Sequence, residues 1–128
     1  MTKRLFCAAA LCMAGMLAVS AQSVRFNNEG KLKIVQFTDI HWRAGDPATA
    51  DAAANMNRVL DEEKPDLVVY TGDVTTAKPA TEGLDKALEP VISRGLPYAI
   101  TFGNHDDEQD LTRPQLYDYV KKKQGCLD

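Results

Sequence analysis

The sequence predicts an α/β layer structure of order βαβαβα, preceded by a β-hairpin. Three observations predict it. Three short apolar runs, ending at Phe37, Tyr70 and Phe102, are bounded by turn residues in the manner of buried parallel strands. Stretches with apolar residues at helical spacing lie between and after them. Each run is followed at once by a polar cluster, as in open sheets whose carboxyl edge gathers ligands. Strand–helix–strand order favours right-handed crossovers.

Taken in order, Val24-Arg25-Phe26, then Asn27-Asn28-Glu29-Gly30, then Lys31 to Phe37 reads as the hairpin, with a Gly-ended turn. Ile34 to Phe37 is apolar enough to be buried. Residues 48–63 place Ala52, Met56, Val59 and Leu60 on one helical face. Asp46-Pro47 starts that helix as cap and first turn, and Pro65 stops it. Leu67-Val68-Val69-Tyr70 is a continuous apolar run between Pro65 and Gly72, expected of a central strand. A second helix is expected over 81–93 with Leu84, Leu88, Val91 and Ile92 inward, kinked or shortened by Pro90 and closed by Gly95 and Pro97. Tyr98 to Phe102 is the third strand. Thr112-Arg113-Pro114-Gln115 is a capping box, with Leu111 and Leu116 as a hydrophobic staple, and opens the last helix.

The first residues read as a leader. Lys3 and Arg4 form a basic head, Leu5 to Val19 an apolar run, and Val19-Ser20-Ala21 a cleavage site for a signal peptidase. The run is short for a permanent anchor. Residues 1–21 are therefore expected to be a signal peptide and 22–128 the mature domain, exported to the periplasm or the extracellular space. No later segment resembles a membrane span. Loss of the leader removes two cations and no acid, so the mature chain is more acidic than the net −3 of the whole sequence. No basic patch remains to signal nucleic-acid or anionic-membrane binding. Cys7 and Cys12 leave with the leader, so Cys126 is the one cysteine expected in the mature chain and no internal disulfide is expected.

The polar clusters are Asp39-Ile40-His41, Gly72-Asp73 and Gly103-Asn104-His105-Asp106. Singly, each has an ordinary explanation: a turn cap beside an exposed His, turn chemistry, a polar loop. Together, each one strand–helix unit after the last, they return acids, imidazoles and an amide to one sheet edge three times. Cleaving a phosphoester needs a hydroxide at neutral pH and relief of charge on the phosphoryl oxygens, which two cations about 3.5–4 Å apart supply. Carboxylate, imidazole and amide oxygen suit Mn, Fe or Zn. Asp73, in the middle, is the natural bridge.

With D-I-H at 39–41, G-D at 72–73 and G-N-H-D at 103–106, the sequence resembles the calcineurin-like metallophosphoesterases over about residues 31 to 110. The resemblance implies the N-terminal half of a four-layer α/β/β/α sandwich and metal-dependent hydrolysis of a phosphoester substrate at a dinuclear site. It implies Asp39 and His41 on the first metal, Asp73 bridging, and Asn104 on the second. His105 would lie beside the phosphate as general acid or hydrogen-bond donor, oriented by Asp106. The export signal and the stretch Pro97 to Glu108 look most like the purple-acid-phosphatase-related branch. That branch has Gly where this chain has His41, and Tyr where it has Thr76, so no purple ferric centre is expected. The family also completes its site with three later histidines, whereas this sequence has two in all, His41 and His105. The expectation is a truncated domain with an incomplete ligand set.

Two rival readings follow. One is a catalytically incomplete fragment with weak metal binding at most. The other is a receiver-like signalling domain, which also collects acids at strand ends, but which needs neither an export signal nor Gly-Asn-His-Asp. If helices cover only one sheet face, Leu32, Ile34, Val68, Ile100 and Phe102 are expected to remain exposed.

Overall fold

A computed structural model describes residues 24–127. The expected signal peptide, residues 1–21, lies outside the described residues. Strands β1 (Ile34–Phe37), β2 (Leu67–Thr71) and β3 (Tyr98–Thr101) alternate with helices α1 (Ala48–Glu63), α2 (Ala80–Ile92) and α3 (Arg113–Val120). A 3-10 turn at Asp106–Glu108 separates β3 from α3. The sheet is parallel in the order β1-β2-β3, with Val35 beside Val68 and Val68 beside Tyr98. This is the predicted α/β alternation.

The hairpin is the element that differs. Its turn forms: Asn27 Oδ1 accepts from the Glu29 and Lys31 N–H groups, both at 2.9 Å. Residues 24–26, however, carry no strand. Phe26 is 70% exposed, so this arm buries too little to hold a ladder. The helix starts follow the sequence closely. Asp46 Oδ1 accepts from Ala48 N–H at 3.0 Å at the start of α1. The Thr112–Gln115 capping box opens α3 with Leu116 fully buried. Helix α2 runs through Pro90 and ends two residues later.

Strand order increases in one direction, so both right-handed crossovers lay their helices on the same face. Val68, Tyr70, Tyr98 and Ile100 from that face share one core with Met56 and Leu60 of α1, Leu84, Leu88 and Val91 of α2, and Leu116 and Val120 of α3. Burying a Leu, Ile or Val contributes about 1.5–3 kcal/mol, so this face holds most of the folding energy.

The opposite face has no helix. It carries Ile34, Gln36, Thr71 and Thr101 exposed, with Leu67, Val69 and Ala99 half-buried. The expected exposed set is thus corrected. Ile34 is 52% exposed as expected, but Val68, Ile100 and Phe102 belong to the core, because strand parity turns them toward the helices. The open face is half polar, and Gln36 Nε2 donates to Thr71 Oγ1 across the strands at 2.8 Å. At the far edge, Tyr98 N–H donates to Gly125 O and Leu127 N–H to Tyr98 O, both at 2.8 Å. Cys126 lies between them, half-buried against the core. No helix among the described residues is long and apolar enough to cross a membrane.

Candidate metal centre

The three polar clusters meet where the strands end. Pairing between the first two chain segments continues beyond β1 and β2 as a backbone zip: Asp39 N–H donates to Gly72 O at 3.1 Å, His41 N–H to Asp73 O at 2.9 Å, and Trp42 N–H to Val74 O at 2.8 Å. The zip holds an uncommon backbone. Asp39, His41 and Asp73 have φ of 53°, 51° and 52°, the left-handed region that side chains other than Gly enter seldom. Three such residues clustered in one place suggest a site rather than a packing accident.

Glycines let the loops touch. A Cβ on Gly72 would meet Gly103 N at 2.8 Å, and one on Gly103 would meet Asp73 Oδ1 at 2.0 Å. Gly72 therefore makes room for the backbone of the β3 loop, and Gly103 for the Asp73 carboxylate of the β2 loop. Farther back, a Cβ on Gly83 of α2 would meet Thr75 Oγ1 at 2.1 Å. Thr75 is fully buried and its hydroxyl donates to Trp42 O at 3.3 Å. Sequence reading passed over Gly83, which sits inside a helix pattern with no local sign of its neighbour.

Asp39, His41 and Asp73 each offer a ligand atom within 4.8 Å of the others. His41 Nε2 lies 3.7 Å from Asp39 Oδ1 and 3.8 Å from Asp73 Oδ2. Asp73 is the most enclosed of the three, with a side chain 14% exposed against 65% for Asp39. Its other oxygen, Oδ1, accepts from His105 N–H at 3.1 Å. The third motif therefore joins the first two: the His41 and His105 rings meet edge to face with centroids 5.6 Å apart. Asn104, exposed, sits in the chain between Gly103 and His105, both of which touch Asp73.

Asp106 has a different place from the one expected of it. Its carboxylate is fully buried and accepts four backbone N–H bonds, from Val74 (2.8 Å) and Thr75 (3.0 Å) on Oδ1 and from Asp73 (2.9 Å) and Gly103 (2.8 Å) on Oδ2. It knits the β2 and β3 loops together and does not hold the His105 ring. That ring is held by Glu108, whose Oε2 lies 2.8 Å from Nδ1. The Glu108 hydrogen bond and charge raise the His105 pKa above its ordinary value, with smaller pushes from Asp73 and Asp106 against a desolvation pull. Sequence reading assigned Glu108 no role of its own beyond closing the stretch Pro97 to Glu108; its signal is the i,i+3 spacing from His105.

Two further residues support the loops. Arg113, at the start of α3, donates to Gly103 O at 2.8 Å and to Phe102 O at 3.4 Å while paired with Asp107. Asp110 Oδ1 accepts from Ala80 N–H at 2.8 Å, capping α2 from thirty residues away. Neither contact has a local sequence signature.

Two carboxylates and an imidazole, their donor atoms converging at an exposed sheet edge, form a donor set that suits a divalent transition ion. Comparison with known proteins agrees. The family model described as calcineurin-like phosphoesterase matches residues 32–127. The chain is 30% identical over 134 residues to "Probable inactive purple acid phosphatase 14" of Arabidopsis thaliana, covering 91% of this chain and 33% of that protein. It is 39% identical over 113 residues to "Phosphatase DCR2" of Saccharomyces cerevisiae, covering 75% of this chain and 20% of that one. It is 29% identical over 108 residues to "Probable glycerophosphodiester phosphodiesterase GpdQ" of Arcobacter nitrofigilis, covering 84% of this chain and 36% of that one. The chain thus spans between a fifth and about a third of the length of these relatives. With its three motifs meeting at one edge and three quarters of its length matched, the chain belongs to the calcineurin-like phosphoesterase family of metal-dependent hydrolases.

Proposed function

We propose that this chain carries part of a dinuclear metal site that hydrolyses a phosphoester. The observation that carries the reading is the convergence of Asp39, His41 and Asp73 within 4.8 Å, with the His105 ring 5.6 Å from His41. Asp39 and His41 would hold the first ion, Asp73 would bridge and Asn104 would reach the second; Mn, Fe and Zn all suit these donors. When bound, such ions supply a nucleophile at neutral pH and offset charge on the phosphoryl oxygens.

The chain's own residues do the rest. Asp106 fixes the two loops so that Asp73 and His105 keep their separation. His105 stands at the rim, 43% exposed, where a phosphoryl group would rest. As the bond from phosphorus to the leaving oxygen breaks, its electron pair stays on that oxygen and His105 Nε2–H supplies the proton. The relatives' names include both a phosphatase and a phosphodiesterase, so monoesters and diesters are both candidate substrates. The basic head and apolar run of residues 1–21 support an exported protein, periplasmic or extracellular.

A second reading has its own support. The sequence contains two histidines only, and some relatives carry "inactive" in their names. On that reading the chain binds metal weakly at most and turns nothing over. One experiment separates the two. Mn binding is measured by electron paramagnetic resonance, and hydrolysis of 4-nitrophenyl phosphate and bis(4-nitrophenyl) phosphate is followed with Mn, Fe or Zn added. Metal-dependent turnover supports the hydrolase and refutes the second reading; weak binding or none, without turnover, supports the second reading and refutes the hydrolase.

A further inference from the structure

We infer that Glu108 is the positioning residue for His105, holding the Nδ1–H form of the ring so that Nε2 faces the reacting group. The inference rests on the proposed role of His105 and adds the residue through which that role is set. Residues 106–108 form a 3-10 turn, in which side chains three apart eclipse one another. Glu108 therefore stands directly over His105, and the turn closes with Glu108 N–H donating to His105 O at 3.4 Å. The turn itself is pinned from below, because Asp106, its first residue, is fully buried on four backbone N–H groups. With Asp106 pinned between the two residues and His105 N–H held on Asp73 Oδ1 at 3.1 Å, the 2.8 Å contact from Glu108 Oε2 to Nδ1 sets the ring angle.

An ionised carboxylate only accepts, so Nδ1 must carry the hydrogen in that bond. The opposite nitrogen, Nε2, is then the one left for substrate. In the doubly protonated ring Nε2–H donates its proton to the leaving oxygen when the phosphorus–oxygen bond breaks, which leaves the Nδ1–H tautomer held by Glu108, and Nε2 is reprotonated from solvent. The family-derived expectation placed Asp106 in this role, but Asp106 has no free oxygen lone-pair direction left to spend on a ring. Glu108 provides the same kind of acceptor three residues along.

The test has two readouts. In the full chain labelled with 15N-histidine, His41 and His105 give the two imidazoles, and His105→Gln identifies which is which. Long-range proton–nitrogen spectra at alkaline pH, where both rings are neutral, should show His105 as the Nδ1–H tautomer in the wild type and in Glu108→Gln. Glu108→Ala should move it toward the Nε2–H tautomer and leave His41 unchanged. With Mn bound, Glu108→Ala should lower kcat on phenyl phosphate, a poor leaving group, about tenfold more than on 4-nitrophenyl phosphate, and Glu108→Gln should restore the ratio. An unchanged His105 tautomer in Glu108→Ala, or equal losses on both esters, would overturn the inference. Absence of turnover in the wild type would instead remove the hydrolase reading, and the tautomer measurement alone would then decide the place of Glu108.

Discussion

Removing the Asp106 carboxylate should cost this protein a large part of its stability, and the size can be worked from the four bonds it accepts. Hydrogen bonds to a charged group are worth about 1.5–3 kcal/mol each, and an unsatisfied buried N–H costs about 1–3 kcal/mol. The bonds from Val74 and Thr75 are buried, whereas those from Asp73 and Gly103 are part-buried and water can replace them. Asp106→Ala therefore leaves two N–H groups stranded, for a loss of about 4–6 kcal/mol against a typical net stability of about 5–15 kcal/mol. Asp106→Asn should fall between. Its carbonyl oxygen can keep Val74 and Thr75, but its amide then points donors at the Asp73 and Gly103 N–H groups, for about 2–4 kcal/mol. Urea unfolding followed by circular dichroism measures both, with the slope unchanged if only the folded state is affected. An Asp106→Ala variant within about 0.5 kcal/mol of wild type, the range of ordinary surface changes, would refute the view of Asp106 as the hub of the two loops.

Gly103→Ala places a Cβ 2.0 Å from Asp73 Oδ1 and should weaken Mn binding at least tenfold while costing about 1–3 kcal/mol, read by isothermal titration and urea unfolding. Asp73→Asn should abolish dinuclear binding, whereas His105→Ala should keep the metal and lower kcat by about 10²–10⁴-fold; equal metal loss in both would contradict the assignment. Burial pushes the Tyr70 and Tyr98 phenols far above the ordinary 10.0, aided at Tyr70 by Tyr98 and at Tyr98 by Cys126. Both groups favour folding fully below pH 10, and that contribution is lost as pH rises past 10, because the unfolded chain then ionises first; a flat stability from pH 9 to 12 would count against it. Ile34→Lys, on the open face, should change stability by less than about 1 kcal/mol, while Leu84→Ala should cost about 2–5 kcal/mol by thermal or urea unfolding.

Much of this architecture was legible because its signals are local. The three apolar runs, the helical spacing of Met56 with Leu60 and of Leu84 with Leu88, and the Thr112–Gln115 box each fit within a few residues. The edge position of Asp39, His41, Asp73 and Asn104 followed from strand ends, since a parallel sheet points all its carboxyl ends one way. What stayed hidden depends on partners distant in sequence or on side-chain parity. Asp110 caps a helix begun thirty residues earlier, and Gly83 makes room for a threonine on another loop. Val68 and Ile34 look alike in the sequence, yet strand parity buries one and leaves the other at the surface. The short arm 24–26 alternates enough to read as a strand, but has no apolar surface to cover it.

The site and the fold are held by the same contacts, which explains why an exposed cluster can be well ordered. Three ligand candidates sit in left-handed backbone that costs about 1–3 kcal/mol each. That cost must be offset nearby, and the offset is visible: the zip from Asp39, His41 and Trp42 to Gly72, Asp73 and Val74, and the four N–H groups gathered on Asp106. Asp73 belongs to both sets, giving its carbonyl to His41 and its N–H to Asp106. Its side chain is left with one oxygen on His105 N–H and one facing His41. Any change that frees the Asp73 backbone therefore loosens the metal donors and both loops at once. A lost ligand and a lost loop contact should be distinguishable only by comparing metal affinity with urea stability in the same variant.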